Sequence, residues 1–208
     1  MKKKLLLLAT AAVFFSPVAA KANSKSSIYV GLTGTLERLM SQGGQTLASD
    51  YLKDENFLSG GIEAGYGYKV WSNLQVAGFV RGMYAAEHTY ADAKKGEDGK
   101  TLVRSSGFVI EPRVTLGWEV PVSGTVSITP FIGVGAEAYF SKKDGKEYSV
   151  SWTVPGVAGV RANFGYVYAS VNSRFDLTTT EINAKSDVRA EADTYRNWGL
   201  EASVGAEF

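Results

Sequence analysis

The chain closes with Leu200-Glu-Ala-Ser-Val-Gly-Ala-Glu-Phe208. Leu200, Ala202, Val204, Ala206 and Phe208 alternate with Glu201, Ser203, Gly205 and Glu207. A strict period of two places the first set on one side of a β-strand and the second on the other. The strand therefore has one apolar and one polar face, and it ends on an aromatic residue. The fold depends on whether other segments repeat this pattern, and on which face points inward.

Seven more segments repeat it. Strand 1 covers about Ser27 to Glu37, with Ile28, Val30, Leu32 and Leu36 opposite Tyr29, Gly31, Thr33, Thr35 and Glu37. Strand 2 covers Phe57 to Lys69, strand 3 Leu74 to Ala86, strand 4 Ser106 to Glu119 and strand 5 Thr125 to Phe140. Strand 6 covers Glu147 to Phe164 and strand 7 Tyr166 to Leu177, while strand 8 starts near Asn197. The connections alternate. Residues 38–56, 87–105 and 178–196 form long polar loops, and Ser141 to Lys146 a shorter charged one. Val70 to Asn73, Pro121 to Gly124 and Gly165 are tight turns. An even number of strands, with long loops at one end and short turns at the other, predicts a closed up-and-down barrel. Pro112, Pro130 and Pro155 fall inside strands and lack ladder donors, so bulges or register shifts are expected beside them.

A soluble barrel would also alternate, with its apolar side chains inside. Three features predict the opposite orientation. The polar face consists of Gly, Ser and Thr with isolated mid-strand charges, whereas long charged side chains gather in the loops. The mid-strand charges Glu63, Arg81, Glu111, Arg113, Glu137, Arg161, Arg174 and Glu201 balance in sign. Inside a narrow barrel they can pair, whereas each Arg facing lipid at the midplane would cost roughly 2–4 kcal/mol. Finally, aromatic residues mark both ends of the apolar face. Phe108 and Trp118, Trp152 and Phe164, and Trp198 and Phe208 form such pairs, joined by Tyr68, Tyr84, Phe140 and Phe175. Ten residues at about 3.3 Å each, tilted by about 40°, span roughly 25 Å, the height of an outer-membrane apolar band.

The start of the chain agrees with export. Lys2 to Lys4 precede an apolar run from Leu5 to Phe15, and small residues follow to Ala22. This reads as a signal peptide over residues 1–22, cleaved after Ala22 or Ala20, followed by one barrel domain over 23–208. The apolar run is about half of the roughly 20 residues needed by a spanning helix. The chain has no cysteine, which excludes disulfides and a lipid-modified cysteine, and its net charge of +1 does not suggest nucleic acid.

Together these features resemble the small eight-stranded outer-membrane barrels of Gram-negative bacteria, the OmpA transmembrane-domain and OmpX type. The resemblance covers the whole chain after residue 22. It implies an all-β, closed, antiparallel transmembrane barrel, expected as a monomer among outer-membrane lipid and lipopolysaccharide. It also implies that Phe208 and its alternating neighbours are read by the outer-membrane assembly machinery. The periplasmic peptidoglycan-binding domain of longer relatives is expected to be absent.

Function is less legible. Phe79, Met83, Phe131 and Tyr168 on the polar faces, with the charges, argue against a wide pore. The leading expectation is a surface protein whose loops, carrying Tyr51, Phe57, Tyr90, Tyr148 and Tyr195, contact host or serum proteins, or a structural envelope role. One alternative is a narrow small-solute channel. Another is a lipid A-modifying enzyme using the single histidine, His88, near Glu87, Ser105 and Ser106. No cofactor, metal site or catalytic set is expected, because spaced ligands are missing.

Overall fold

A computed structural model of the chain describes residues 25–42, 45–46, 56–86, 88–89, 103–104, 106–143, 147–182 and 195–208. The segment read as a signal peptide lies outside them. Eight long strands build the fold: β1 Ser26–Gln42, β2 Asn56–Lys69, β3 Leu74–Ala85, β4 Gly107–Trp118, β5, β6 Glu147–Phe164, β7 Val167–Ile182 and β8 Tyr195–Glu207. β5 consists of Val126–Gly135 and Glu137–Lys143, interrupted at Ala136.

Each strand pairs antiparallel with the next, and β8 pairs with β1, so the sheet closes on itself. The closing seam runs from Tyr29 opposite Glu207 to Gln42 opposite Tyr195, with a shift between Leu39 and Ser41. Beyond it, Ile28 and Phe208 exchange both backbone hydrogen bonds at 2.9 Å. Closure matters because a bilayer offers no partner to an open edge.

Four strands reach further toward the loops than alternation of apolar residues predicts. β1 continues through Arg38 to Gln42, β5 through Ser141 to Lys143, β7 through Thr178 to Ile182, and β8 begins at Tyr195. Gln45–Thr46 pairs back on β1, and within the second long loop His88–Thr89 pairs with Val103–Arg104. Pairing requires only backbone groups. Past the apolar band it proceeds through Arg38-Leu-Met-Ser-Gln42 and Thr178-Thr-Thr-Glu-Ile182, where apolar and polar residues do not alternate, so no period-two signal marks it.

The prolines divide. At Pro155 the ladder to β7 shifts: Val154 opposes Thr178 and Pro155 opposes Asp176, leaving Leu177 unopposed. Pro112 and Pro130 stay in register with Val80 and Val160, contrary to the expected shifts. A residue in an antiparallel ladder bonds mainly toward one neighbour, so one proline removes one donor and need not move the strand. Pro112 accepts from the Ala136 amide at 2.9 Å and cannot reciprocate, and β5 is interrupted there.

Glycine is required where the wall meets a large inward ring. Gly31 opposes Gly205 on the seam, and Gly205 opposes Tyr168. A Cβ at Gly31 would collide with the Tyr168 hydroxyl, and one at Gly205 would come within 2.8 Å of that ring. Gly165, at φ 63°, and Tyr166 make the two-residue turn from β6 to β7.

Candidate functional site: the filled interior and the apolar wall

The side chains of β3 show the arrangement in one line. Ala77, Phe79, Arg81, Met83 and Ala85 are buried in the lumen, while Val76, Val80 and Tyr84 are exposed on the outside. The other strands follow the same rule. All ten aromatic residues of the two bands, Tyr68, Tyr84, Phe108, Trp118, Phe140, Trp152, Phe164, Phe175, Trp198 and Phe208, lie outside and exposed. Ile62 is 66 % exposed, whereas Arg81 and Arg174 are 1 % exposed. Ala206 is the exception on β8. It has outward parity but is buried, a methyl group shaded between its ladder partners Val30 and Val167.

The lumen is stacked in layers. Toward the short turns, Tyr29, Ala77, Phe79 and Tyr168 cluster, with Tyr29 edge-on to Tyr168 at 5.4 Å between ring centroids. Toward the loops, Met83, Ala85, Val109 and Tyr139 form a second apolar cluster. The ion pairs lie between them. Arg113 grips Glu201 with two parallel bonds, 2.7 and 2.9 Å, and reaches Glu111 at 2.6 Å. Such bidentate pairing suits the planar guanidinium. Arg81 reaches Glu201 at 2.8 Å, Glu111 at 3.1 Å and Glu63 at 3.6 Å, and donates to Thr33. Arg174 sits among Glu137 at 2.6 Å, Glu111 and Asp176 at 3.3 Å, Glu37 at 3.5 Å and Glu201 at 3.7 Å.

Seven of the eight charges singled out by mid-strand position are thus joined; Arg161 is the exception. It is buried, but no carboxylate among the described residues lies within ion-pair distance of it. Its guanidinium carbon instead stands 4.6, 5.0 and 5.5 Å from the ring centres of Tyr29, Phe79 and Phe131, and it donates to Gln75 at 3.3 Å. The expectation that Arg161 serves a carboxylate partner is therefore corrected: ring faces and an amide oxygen hold it.

Several contributors carry no mid-strand charge signal. Glu37 and Asp176 have inward parity but lie where the alternation of apolar residues stops, so that each reads as belonging to a loop. Asn172 donates to Glu201 at 2.6 Å, the Tyr168 hydroxyl to Glu63 at 2.6 Å, and Gln75 to the Tyr29 hydroxyl at 2.9 Å. At the closing seam the Ser27 hydroxyl donates to Glu207 at 2.8 Å. Their inward parity was legible, but their partners were not.

Among the described residues a small cavity lies beside the charges. Its volume of about 20 Å³, lined by Glu63, Arg81, Arg113, Arg161 and neighbouring hydroxyl groups, has room for about one water. With charges inside, apolar side chains outside and no open edge, the wall is complementary to lipid.

This is a transmembrane barrel of the outer-membrane type. No family model matches the chain, and no curated protein matches it. Solved structures of similar shape exist. Ail, the attachment invasion locus protein of Yersinia pestis, crystallised with the heparin analogue sucrose octasulfate, is 15% identical, with 89% of this chain and 100% of that chain covered and a TM-score of 0.44. Neisserial surface protein A is 12% identical over 89% and 100%, with a TM-score of 0.49. The outer membrane protein AlkL, solved in lipid bilayers, is 16% identical over 93% and 94%, also at 0.49. The assignment to the bacterial outer membrane rests on this chain's own inverted faces and closed seam.

Of the residues weighed for lipid chemistry, Glu87, Ser105 and the His88 side chain lie outside the described residues. Ser106 is half-buried beside the start of β4. Among the loop aromatics, Tyr51 and Tyr90 also lie outside them. Phe57, Tyr148 and Tyr195 are strand residues of β2, β6 and β8.

Proposed function

We propose that the chain is a cell-surface outer-membrane protein whose barrel is a rigid post and whose long loops make its specific contacts, with host or serum proteins as partners. The filled lumen carries this reading. A residual cavity of about 20 Å³ between two apolar layers offers no route for a hydrated solute. The extension of β1, β5, β7 and β8 toward the loops supports it as well, because paired strands raise the connections above the lipid. The barrel functions as a monomer in lipopolysaccharide and phospholipid. Phe208, paired to Ile28 at the end of the seam, is the residue offered to the assembly machinery.

The test is a loop transplant. Residues 38–56, 87–105, 141–146 and 178–196 are moved onto an unrelated small barrel, and binding to host cells and serum proteins is measured. Transfer of binding is expected; binding by the parent protein without transfer would sink the loop assignment. A planar-bilayer trace of the refolded protein should be silent, and steady single-channel steps would favour a narrow channel instead. A non-enzymatic role is part of the proposal. Mass spectrometry of lipid A from expressing cells should show no new acyl pattern, and one abolished by His88→Ala would replace this reading with an enzyme.

A further inference from the structure

The two short turns beside β3 differ from the third. The β6–β7 connection reverses at Gly165 and stays flush with its strands. By contrast, the chain after β4 continues as Val120–Ser123, with Val120 opposite Ile128 and Pro121 opposite Ser127. That pairing keeps the register of Gly117 opposite Phe131, so the extension prolongs β4. β3 begins at Leu74 opposite Trp118, and no described strand flanks the extension on that side. All four of its residues are exposed.

The surface of this projection is apolar. Val120 continues the outward parity of Val114, Leu116 and Trp118, and Val122, unopposed where the ladder shifts between Pro121 and Ser123, is exposed beside it. The neighbouring turn adds Val70 and Trp71, the latter 74 % exposed. The charged residues flanking these turns, Lys69 and Glu119, pair with each other at 2.9 Å and tie the two turns together. From Phe108 to Val120 is twelve residues (120 − 108), against ten from Trp198 to Phe208 (208 − 198). At about 3.3 Å per residue and about 40° tilt, the apolar wall is about 30 Å tall on the β4 side, before the exposed Val122, and about 25 Å on the β8 side.

We infer that Val70, Trp71, Val120 and Val122 form a lip that inserts into the phospholipid leaflet on the short-turn side and makes the barrel sit tilted, with its β4 side deepest. Continuity with the lipid-facing wall selects the occupant. The lip begins where the Trp118 band ends, is flanked by Lys69 and Glu119 that pair with each other, and has the valine and tryptophan content of a membrane boundary. A wall taller on one side than the bilayer is accommodated by tilt. The inference rests on the barrel spanning a membrane, which heat-modifiable gel mobility checks separately.

The full chain, refolded into phosphatidylcholine–phosphatidylglycerol vesicles, tests it. Trp118, Trp152 and Trp198 are each changed to Phe, leaving Trp71 as the reporter. Its emission should be blue-shifted, strongly quenched by phospholipids brominated near the headgroup end of the chain, and several-fold less accessible to acrylamide than free tryptophan. Water-like emission with full acrylamide access would overturn the lip. Should the triple variant fail to fold, Val122→Cys in the otherwise cysteine-free chain takes a nitroxide label. Collisions with oxygen should then dominate over those with a nickel chelate, and the reverse ratio would overturn the inference. Val120→Asn with Val122→Asn should bring the barrel more upright by polarised infrared dichroism, and unchanged dichroism counts against the tilt.

Discussion

Arg174 and Arg161 lie inside the same barrel, on neighbouring strands and nearly equally buried, yet they are held by different physics. Arg174 is the cation for five carboxylates between 2.6 and 3.7 Å away. Arg161 faces three aromatic rings and the Gln75 amide. The first arrangement is a network in which every member depends on the others. The second is a cage around a single charge. Burial is the same, so the consequences of losing the side chain differ through what is left behind.

Arg174→Ala should give the largest effect. It leaves Glu37, Glu137 and Asp176 gathered without their shared cation in a sealed interior. Removing one partner of a buried pair costs about 3–5 kcal/mol, and like-charge repulsion here places the loss at the upper end. Urea unfolding in vesicles, read by gel mobility of unheated samples, should show a large fall in midpoint or a failure to refold. A variant as stable as the parent would mean that the carboxylates are not charged neighbours in the lumen. Tyr168→Phe comes next. It removes the 2.6 Å bond donated to Glu63 and leaves the ring in its Gly31 and Gly205 recess. Hydrogen bonds to charged groups contribute about 1.5–3 kcal/mol, so an intermediate shift in the same assay is expected. An effect larger than that of Arg174→Ala would move the centre of the network to Glu63.

The comparison also shows what was readable from residues alone. Which side of the wall each charge occupies followed from parity, because a strand has only two faces and lipid tolerates one of them. Leu200 to Phe208 displayed that rule before any partner was known. Depth along the barrel was readable only in part: Glu37 and Asp176 lie where the apolar alternation stops and resemble loop charges, yet both reach Arg174. Partnership was not readable, since it depends on which strands face one another across the lumen and by how much they are staggered. Arg161 and Arg174 both point inward, but Arg161, opposite Ser170, lies nearer the short turns than Arg174, opposite Val157. Arg161 therefore meets Phe79 and Phe131 and Arg174 meets Glu137, and no local pattern names those partners. The strand extensions of β1 and β7 escaped for a related reason: backbone pairing outside the apolar band leaves no trace in side-chain periodicity.

The smallest effect belongs to Arg161, where the contrast is tested most directly. Arg161→Met keeps a long stem against Tyr29, Phe79 and Phe131 and removes the charge. The attraction of a desolvated cation to ring faces is about 2 kcal/mol, and methionine recovers about 0.3–1.5 kcal/mol of that through sulfur–aromatic contact. The Gln75 oxygen loses one 3.3 Å donor, a long bond, and its amide keeps its contact to Tyr29. No described carboxylate loses an ion-pair partner. The net loss in the urea assay should be about 1 kcal/mol, well below that of Arg174→Ala. Arg161→Ala should be worse than Arg161→Met, because it also empties the space between the rings. If Arg161→Met instead matched Arg174→Ala, a carboxylate would have to depend on Arg161, and the two arginines would belong to one network after all.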